Sequence, residues 1–451
     1  MIPIVTPAVM AVIDAAATEP VDVLVERAGA AVAWAARRML GGTYGRVVHV
    51  IAGPGHNGDD GRVAARRLHQ WGVQVHVHDV ATVGPSLPPA DLVIDAAYGT
   101  GFHGTWTPPV IGATPVLAVD IPSGVDGLTG AAGPGVLTAT RTITFAAVKP
   151  GLLLLPGRAL AGTVDVADIG LPVGDTRAQA VTAADVAGWW PPRPAGSHKW
   201  SRAVRVIAGS PGMTGAAHLS AAAAQRAGAG MVTLSVPGAP AAGPIEVVAR
   251  PIPATDWSAT VLDDLDRYHA VVVGPGLGRT EATVEAVRRF VVECPLPIVI
   301  DGDGLFALVW SEAGGAGWLK RRSAPTILTP HDGEFGLLTG ARPESDRLLA
   351  VRRLAADTRS VVLLKGPTTV VAAPDGDVRI VTTGDARLAT AGTGDVLAGI
   401  TGAFAAAGLD PLDAAASAAW VHGSAAQHGP RAGLIAGDLI DHLPAVLDAL
   451  A

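Results

Sequence analysis

The segment AGPGHNGDDG, residues 52–61, follows an apolar run and leads into a helical one. Glycines at such a turn let backbone amides face an anion at a helix N-terminus, which is a position for a phosphate. The spacing is not the GxGxxG of a dinucleotide fold. The polar side chains of His56, Asn57, Asp59 and Asp60 raise it above a simple packing turn. Two further polar stations stand where later strands should end: Asp95, leading into YGTGFHG at 98–104, and Asp120, leading into IPSGVDGLTG at 121–130. Ligands of open parallel sheets bind beyond the carboxyl ends of the strands, so the stations should converge. One aspartate alone reads as a turn cap; three in register read as a site.

A second constellation follows: AGSPGMTGAA at 208–217, GPGLG at 274–278, DGDGL at 301–305, TPHDGEF at 329–335, KGPTTVV at 365–371 and AGTGDVLAG at 391–399. In GTGD, glycines opening a helix offer amide donors to a developing phosphoryl charge, and Asp395 on the first turn can take a proton from a hydroxyl. Without a Walker A lysine pattern, phosphates would rest on backbone amides and Mg2+. His331 reads equally as a capping residue, Glu334 as a first-turn carboxylate or a water-mediated Mg2+ partner, and Lys365 as half of an ion pair at a strand end.

These stations need strands and helices to hold them. VVHVIA at 47–52, VQVHVH at 73–78, LVIDAA at 92–97, VLAVD at 116–120 and TITFAA at 142–147 predict strands, and DGRVAARRLHQW predicts a helix with Val63, Ala64, Leu68 and Trp71 on one face. Strand, helix, strand implies a parallel sheet and an α/β fold class. The later half repeats the pattern, with strands expected at 203–208, 231–236, 270–274, 297–301, 325–329 and 360–364 and an almost wholly helical last sixty residues. The breaker-rich WWPPRPAGS at 189–197 predicts a linker near Pro194, giving domains 1–193 and 194–451.

TPAVMAVID at 6–14, LVERAG at 24–29, GPGHNGDDGRVAAR at 53–66, DAAYGTGFHG at 95–104, DIPSGVDGLTG at 120–130 and TFAAVKPGL at 144–152 together resemble the NAD(P)H-hydrate epimerase domain. The resemblance implies a Rossmann-like three-layer parallel-sheet domain. It implies a nicotinamide nucleotide held by His56, Asn57, Gly58, Asp59 and Asp60 in one loop. Gly99, Thr100, Gly101, Phe102, His103, Gly104 and Thr105 would hold it in the other. It further implies K+ held at Asn57, Asp95 and Ser123, and Asp120 acting on the hydrated ring. An oxygen donor set suits a hard cation such as potassium. The family loop usually reads GNNGGDG; here His56 and Asp59 replace an Asn and a Gly.

Residues 197–451 resemble the NAD(P)H-hydrate dehydratase branch of the ribokinase-like superfamily, on the six segments above together with SHKW at 197–200 and RAGAGMVTL at 226–234. That resemblance implies a larger ribokinase-like α/β domain using ADP (or ATP) and Mg2+. Lys365, Gly366, Pro367, Thr368, Thr369 and Gly394 would bind the adenine nucleotide. Gly276, His331 and Asp395 would face the hydrated nicotinamide, with Asp395 as the catalytic base. The joint expectation is a bifunctional enzyme that epimerises the R and S hydrates of NADH and NADPH and dehydrates the S form, and the resemblance adds a homo-oligomer. The rival is a vitamin or sugar kinase with a non-catalytic first domain.

Composition narrows the field. Of 451 residues 49% are hydrophobic and 16% charged, which excludes wholesale disorder. Lys plus Arg is 33 against 40 for Asp plus Glu, a net charge of -7, which argues against nucleic acid as a partner. The lone Cys294 closes no intrachain disulfide and fits a reducing compartment. The first twenty residues lack a basic region ahead of an apolar one, and no run approaches 18 unbroken apolar residues, so a cytoplasmic protein off the membrane is expected.

Overall fold

The computed structural model describes residues 1–102, 104–240, 243–309 and 316–450. Two compact units emerge, Ile2–Thr176 and Arg177–Ala451. The division falls earlier than the proline-rich run, for a physical reason. Ala178–Ala180 forms a strand that pairs in parallel with Val378–Val381, and the helix Ala183–Trp189, capped by Thr182, sends Val186 into the second unit's core. The run near Pro194 is therefore a loop within the second unit. Arg202 fastens it by donating to the carbonyls of Pro191 and Pro192 at 2.8 and 3.1 Å.

In the first unit, strands Gln74–Asp79, Val47–Ala52, Leu92–Ala96, Val116–Val119, Arg141–Phe145 and Thr163–Ala167 pair in parallel in that order. Alternation decides which side chain meets which layer. Val48, Val50, Leu92, Ile94, Leu117 and Val119 face the helices Val21–Leu40 and His56–Gln70. Ile51, Val93, Val116 and Ala118 face a layer of connecting segments carrying Leu87, Tyr98 and Trp106. This is the expected Rossmann-like three-layer arrangement. The helix begins at His56, earlier than a loop reading of HNGDD would have it, so those polar residues sit on its first turns. Its buried face carries Val63, Ala64 and Leu68 as the periodicity requires.

In the second unit, strands run in the order Ala178–Ala180, Val378–Val381, Thr369–Ala372, Val361–Leu364, Thr326–Leu328, Ile298–Ile300, Ala270–Val273, Ala203–Ile207, Met231–Ser235, Val248–Ala249. Thr369–Ala372 is antiparallel to both neighbours, and the other pairings are parallel. Helices Thr214–Arg226, Thr393–Ala406, Pro411–His428 and Ala436–Asp448 bury alanines against Val204, Val272, Val299 and Leu363. Their small residues let backbones come close. A Cβ on Gly402 would lie 2.3 Å from Val272 Cγ2. Gly402→Ala should therefore lower unfolding stability by about 1–3 kcal/mol, the usual cost of overpacking a dense core, as read by chemical denaturation. No helix of the described residues is long and apolar enough to cross a membrane.

Candidate active sites

A cavity of about 960 Å3 opens beyond the carboxyl ends of the first unit's strands. His56, Asn57, Asp60, Gly99, Thr100, Gly101, Phe102 and Asp120 line it, as the stations in register require. Other expected contacts take different places. Gly58 is a packing residue, since a Cβ there would lie 2.0 Å from the Gly53 carbonyl oxygen. The Asp59 carboxylate points to Arg62, 3.1 Å away. Gly104 and Thr105 are exposed and do not line the cavity, and His103 lies outside the described residues.

Asp120 ends its strand at φ 65°, in the left-handed region, which turns its side chain out of the sheet register. Its Oδ1 accepts from Lys149 Nζ at 2.6 Å and from Thr144 Oγ1 at 3.1 Å. Lys149 is only 2% exposed and also donates to Thr144 Oγ1 and the Phe145 carbonyl. This lysine, unassigned from the sequence, holds the carboxylate in place.

Asp95 and Ser123 stand behind the cavity wall rather than in it. Ser123 donates from its hydroxyl at 2.6 Å and its amide at 2.9 Å to the Asp95 carboxylate, tying two strand ends together. Burial pushes the Asp95 carboxyl up, against hydrogen bonds from Ser123 and Ala97, and no basic side chain of the described residues pairs with it. Asn57 Nδ2 is buried without a hydrogen-bond partner among the described residues. Asp60 is pushed up to about 8, first by burial and then by the charges of Asp120 and Asp59. Asp14, also in the wall, is raised by burial, with Lys149 opposing.

The second unit has a cavity of about 450 Å3 lined by His331, Lys365, Gly366, Pro367, Thr369 and Gly394 from the expected set. Asp385, Leu388, Thr393 and His422 also line it, without a motif in the sequence that marks them as site residues. Thr368 is buried, and Gly276 and Asp395 lie outside this lining. His422 Nε2 donates to the Thr393 carbonyl at 2.9 Å, fixing the start of the helix Thr393–Ala406. Burial lowers His422 to about 4, so its ring is neutral.

Asp395 lies on the first turn of that helix beside a charged cluster. Burial first, then the Asp301 carboxylate, pushes it up to about 6, with Lys365 opposing. Lys365 Nζ is 2.7 Å from Asp301 Oδ1 and 3.5 Å from Glu334 Oε2. Burial works against its charge, but the two carboxylates outweigh burial and raise its pKa. Lys365 is thus both half of an ion pair and part of the cavity wall. His331 caps the helix Asp332–Thr339: its Nδ1 accepts from the Gly333 and Glu334 amides at 2.9 and 3.1 Å, while Glu334 Oε2 accepts from the His331 amide at 2.8 Å. The capping reading holds, and the outer edge of the ring still reaches the cavity. Gly276, at φ 63°, takes the Ser210 hydroxyl on its carbonyl.

Residues 204–445 match the NAD(P)H-hydrate dehydratase family, and residues 21–86 and 78–151 match the YjeF-related protein N-terminus. The chain is 37% identical, over 95% of its length and 92% of the relative's, to a bifunctional NAD(P)H-hydrate repair enzyme of Moorella thermoacetica. The chain belongs to the family of bifunctional NAD(P)H-hydrate repair enzymes. Another family member, from Mycobacterium leprae, is 37% identical with 96% of each chain covered. Among solved structures, an ADP/ATP-dependent NAD(P)H-hydrate dehydratase of Bacillus subtilis, co-crystallised with ATP and Mg2+, is 31% identical with a TM-score of 0.52, spanning 60% of this chain and 98% of that one. A ribokinase-like superfamily protein of Enterococcus faecalis, 21% identical at a TM-score of 0.54, shares the fold. The repair family accounts for both cavities; a kinase alone would account for one.

Proposed function

We propose that this repair enzyme epimerises the R and S hydrates of NADH and NADPH in the first cavity and dehydrates the S hydrate in the second, at the expense of ADP or ATP. The observation that carries this reading is that each compact unit has its own cavity with carboxylates at it: Asp60 and Asp120 line the first, and Asp395 stands on the start of the helix whose Thr393 and Gly394 line the second.

Dehydration needs hydroxide, a poor leaving group, converted into a good one. Asp395, which lies on a helix start that offers amide donors, takes the proton of the ring hydroxyl. The freed oxygen attacks the terminal phosphorus of the nucleotide, and the rest of the nucleotide departs with the electrons of the broken P–O bond; from ADP the departing group is AMP. Elimination of the new phosphate ester as inorganic phosphate, with a ring proton lost from the neighbouring carbon, restores the dihydronicotinamide. Lys365 balances Asp301 and Glu334, so that Asp395 is the carboxylate free to act. Asp301, Asp303 and Glu334 bring negative charge close to Asp395, and a hydrated Mg2+ entering with the phosphates would supply charge neutralisation there. Glu334, engaged by the His331 amide and Lys365, fits the role of a water-mediated Mg2+ partner less well.

Epimerisation needs reversible departure of the same hydroxyl. Asp120, fixed by Lys149 and Thr144, places a carboxylate where a cationic ring is stabilised. The oxygens of Asn57, Asp95 and Ser123 form a hard donor set, and the buried Asp95 lacks a basic side-chain partner among the described residues, so these residues fit K+. Bound there, the ion would neutralise Asp95 behind the wall. The expected result is that epimers interconvert without nucleotide, and that replacing K+ by a bulky organic cation slows this step and leaves dehydration of the S hydrate at its usual rate. Epimerisation that required ADP or ATP would overturn the two-site reading.

A further inference from the structure

We propose that Asp60 is the proton donor of the epimerase site, delivering its proton to the departing hydroxyl while the carboxylate of Asp120 faces the cation left behind. This rests on the epimerase reading above. The geometry behind it is a division of labour inside one cavity. Asp60 comes from the helix His56–Gln70 and Asp120 from the end of Val116–Val119, and both line the same wall space. Asp120 is bound by an ammonium at 2.6 Å. Asp60 is 6% exposed and has no basic side-chain partner among the described residues.

The other ionisable groups facing the cavity are less suited. His56, on the same helix, is exposed, and the Asp59 carboxylate, outside the lining, is half-exposed and bonded to Arg62. Asp14, on the helix Pro7–Ala15, is exposed at the rim, with Lys149 working against its protonation. Lys149 is committed to Asp120, Thr144 and the Phe145 carbonyl. Burial and the flanking carboxylates hold Asp60 up at about 8, so it is a neutral acid at neutral pH. Two carboxyl groups whose surroundings drive their protonation apart are the usual sign of an acid working beside an anion.

The step balances. The carbon–oxygen bond breaks with its electron pair going to oxygen, the Asp60 proton completes a water molecule, and the ring nitrogen's lone pair spreads over the carbon that lost it. The planar cation turns half-way about its bond to the ribose. Water adds to the newly presented face, the carbon–oxygen bond re-forms, and the proton returns to Asp60. Nothing is oxidised or reduced.

The test is the steady-state interconversion of chromatographically resolved epimers of hydrated NADH by the full chain, without added nucleotide, across the pH range that brackets the Asp60 titration. The expected kcat/KM is flat on the acid side and falls once pH exceeds about 8. Asp60→Asn should lower kcat by roughly 100-fold or more, leave KM within about threefold, and remove the alkaline limb. Asp60→Glu should recover at least tenfold of the rate lost, with the limb restored, on the same order as one general acid contributes. An alkaline limb that persists in Asp60→Asn, or a rise in KM at unchanged kcat, would overturn the assignment and leave Asp60 as a binding group. A wild-type chain that fails to interconvert the epimers would instead remove the epimerase reading itself.

Discussion

Asp395→Asn is expected to cut nucleotide-dependent dehydration by roughly 100- to 10,000-fold, the range a positioned general base contributes, while epimer interconversion continues. The substitution is nearly isosteric and leaves the amide donors of the helix start and the cavity of Lys365, Thr393 and His422 in place. The affinity for ADP should therefore hold, and the loss should fall on kcat. Wild-type dehydration should also rise with pH through about 6, because burial and Asp301 keep Asp395 protonated below that point and it acts only as the anion. Lys365→Met removes the charge that opposes this shift, so its midpoint should move to higher pH. Rapid-quench and steady-state assays with the S hydrate would check both; a pH profile unchanged by Lys365→Met would contradict the base assignment.

Asp120→Asn should have the converse effect, lowering epimerisation by roughly 100-fold or more and sparing dehydration of the S hydrate. Asn is the informative replacement because it tolerates the positive φ of 65° that Asp120 adopts, whereas most side chains resist it. It also keeps an oxygen that can accept from Lys149. Lys149 then loses its counter-charge while only 2% exposed, so the first unit should be destabilised as well, by about 3 kcal/mol if no relaxation intervenes. Thermal unfolding followed in parallel with activity separates the two effects, because only the catalytic one persists well below the melting transition. Retained epimerisation in a folded Asp120→Asn protein would contradict the role given to Asp120.

Much of the architecture is legible in the chain. Fully buried strands such as Leu92–Ala96, Val116–Val119 and Val361–Leu364 announce themselves as apolar runs between turn residues. Thr163–Ala167 does not, because none of its five residues is fully buried. Thr369–Ala372 starts inside a segment that reads as a phosphate loop, and its antiparallel pairing leaves no mark on a local pattern. The proline-rich run does not mark the boundary between units, because prolines mark any turn, while Ala178–Ala180 is assigned to its unit by a partner some two hundred residues away.

For the sites, Asp120 and Asp395 are readable because a polar residue directly after a strand or opening a helix has few structural reasons to be there. Their supports are harder to see, since Lys149 and Lys365 act on carboxylates 29 and 64 residues away in sequence. A signal existed in the composition. The chain has four lysines among 33 basic residues, so arginine is its default cation, and two of those four pair with carboxylates at the sites, Lys149 with Asp120 and Lys365 with Asp301 beside Asp395. A compact ammonium fits a buried pocket that a planar guanidinium does not. His422 gives no comparable sign, because its value lies in one hydrogen bond to a helix carbonyl.

The central claim is that one chain repairs both epimers through two separate sites. Its most direct test is the recovery of the dihydronicotinamide absorbance from a mixed-epimer sample of hydrated NADH incubated with the protein, Mg2+, K+ and ADP or ATP. Conversion of both epimers to completion is the predicted result. Recovery that stops when the S hydrate is consumed would show the first cavity to be inactive, and no recovery with either nucleotide would contradict the account as a whole.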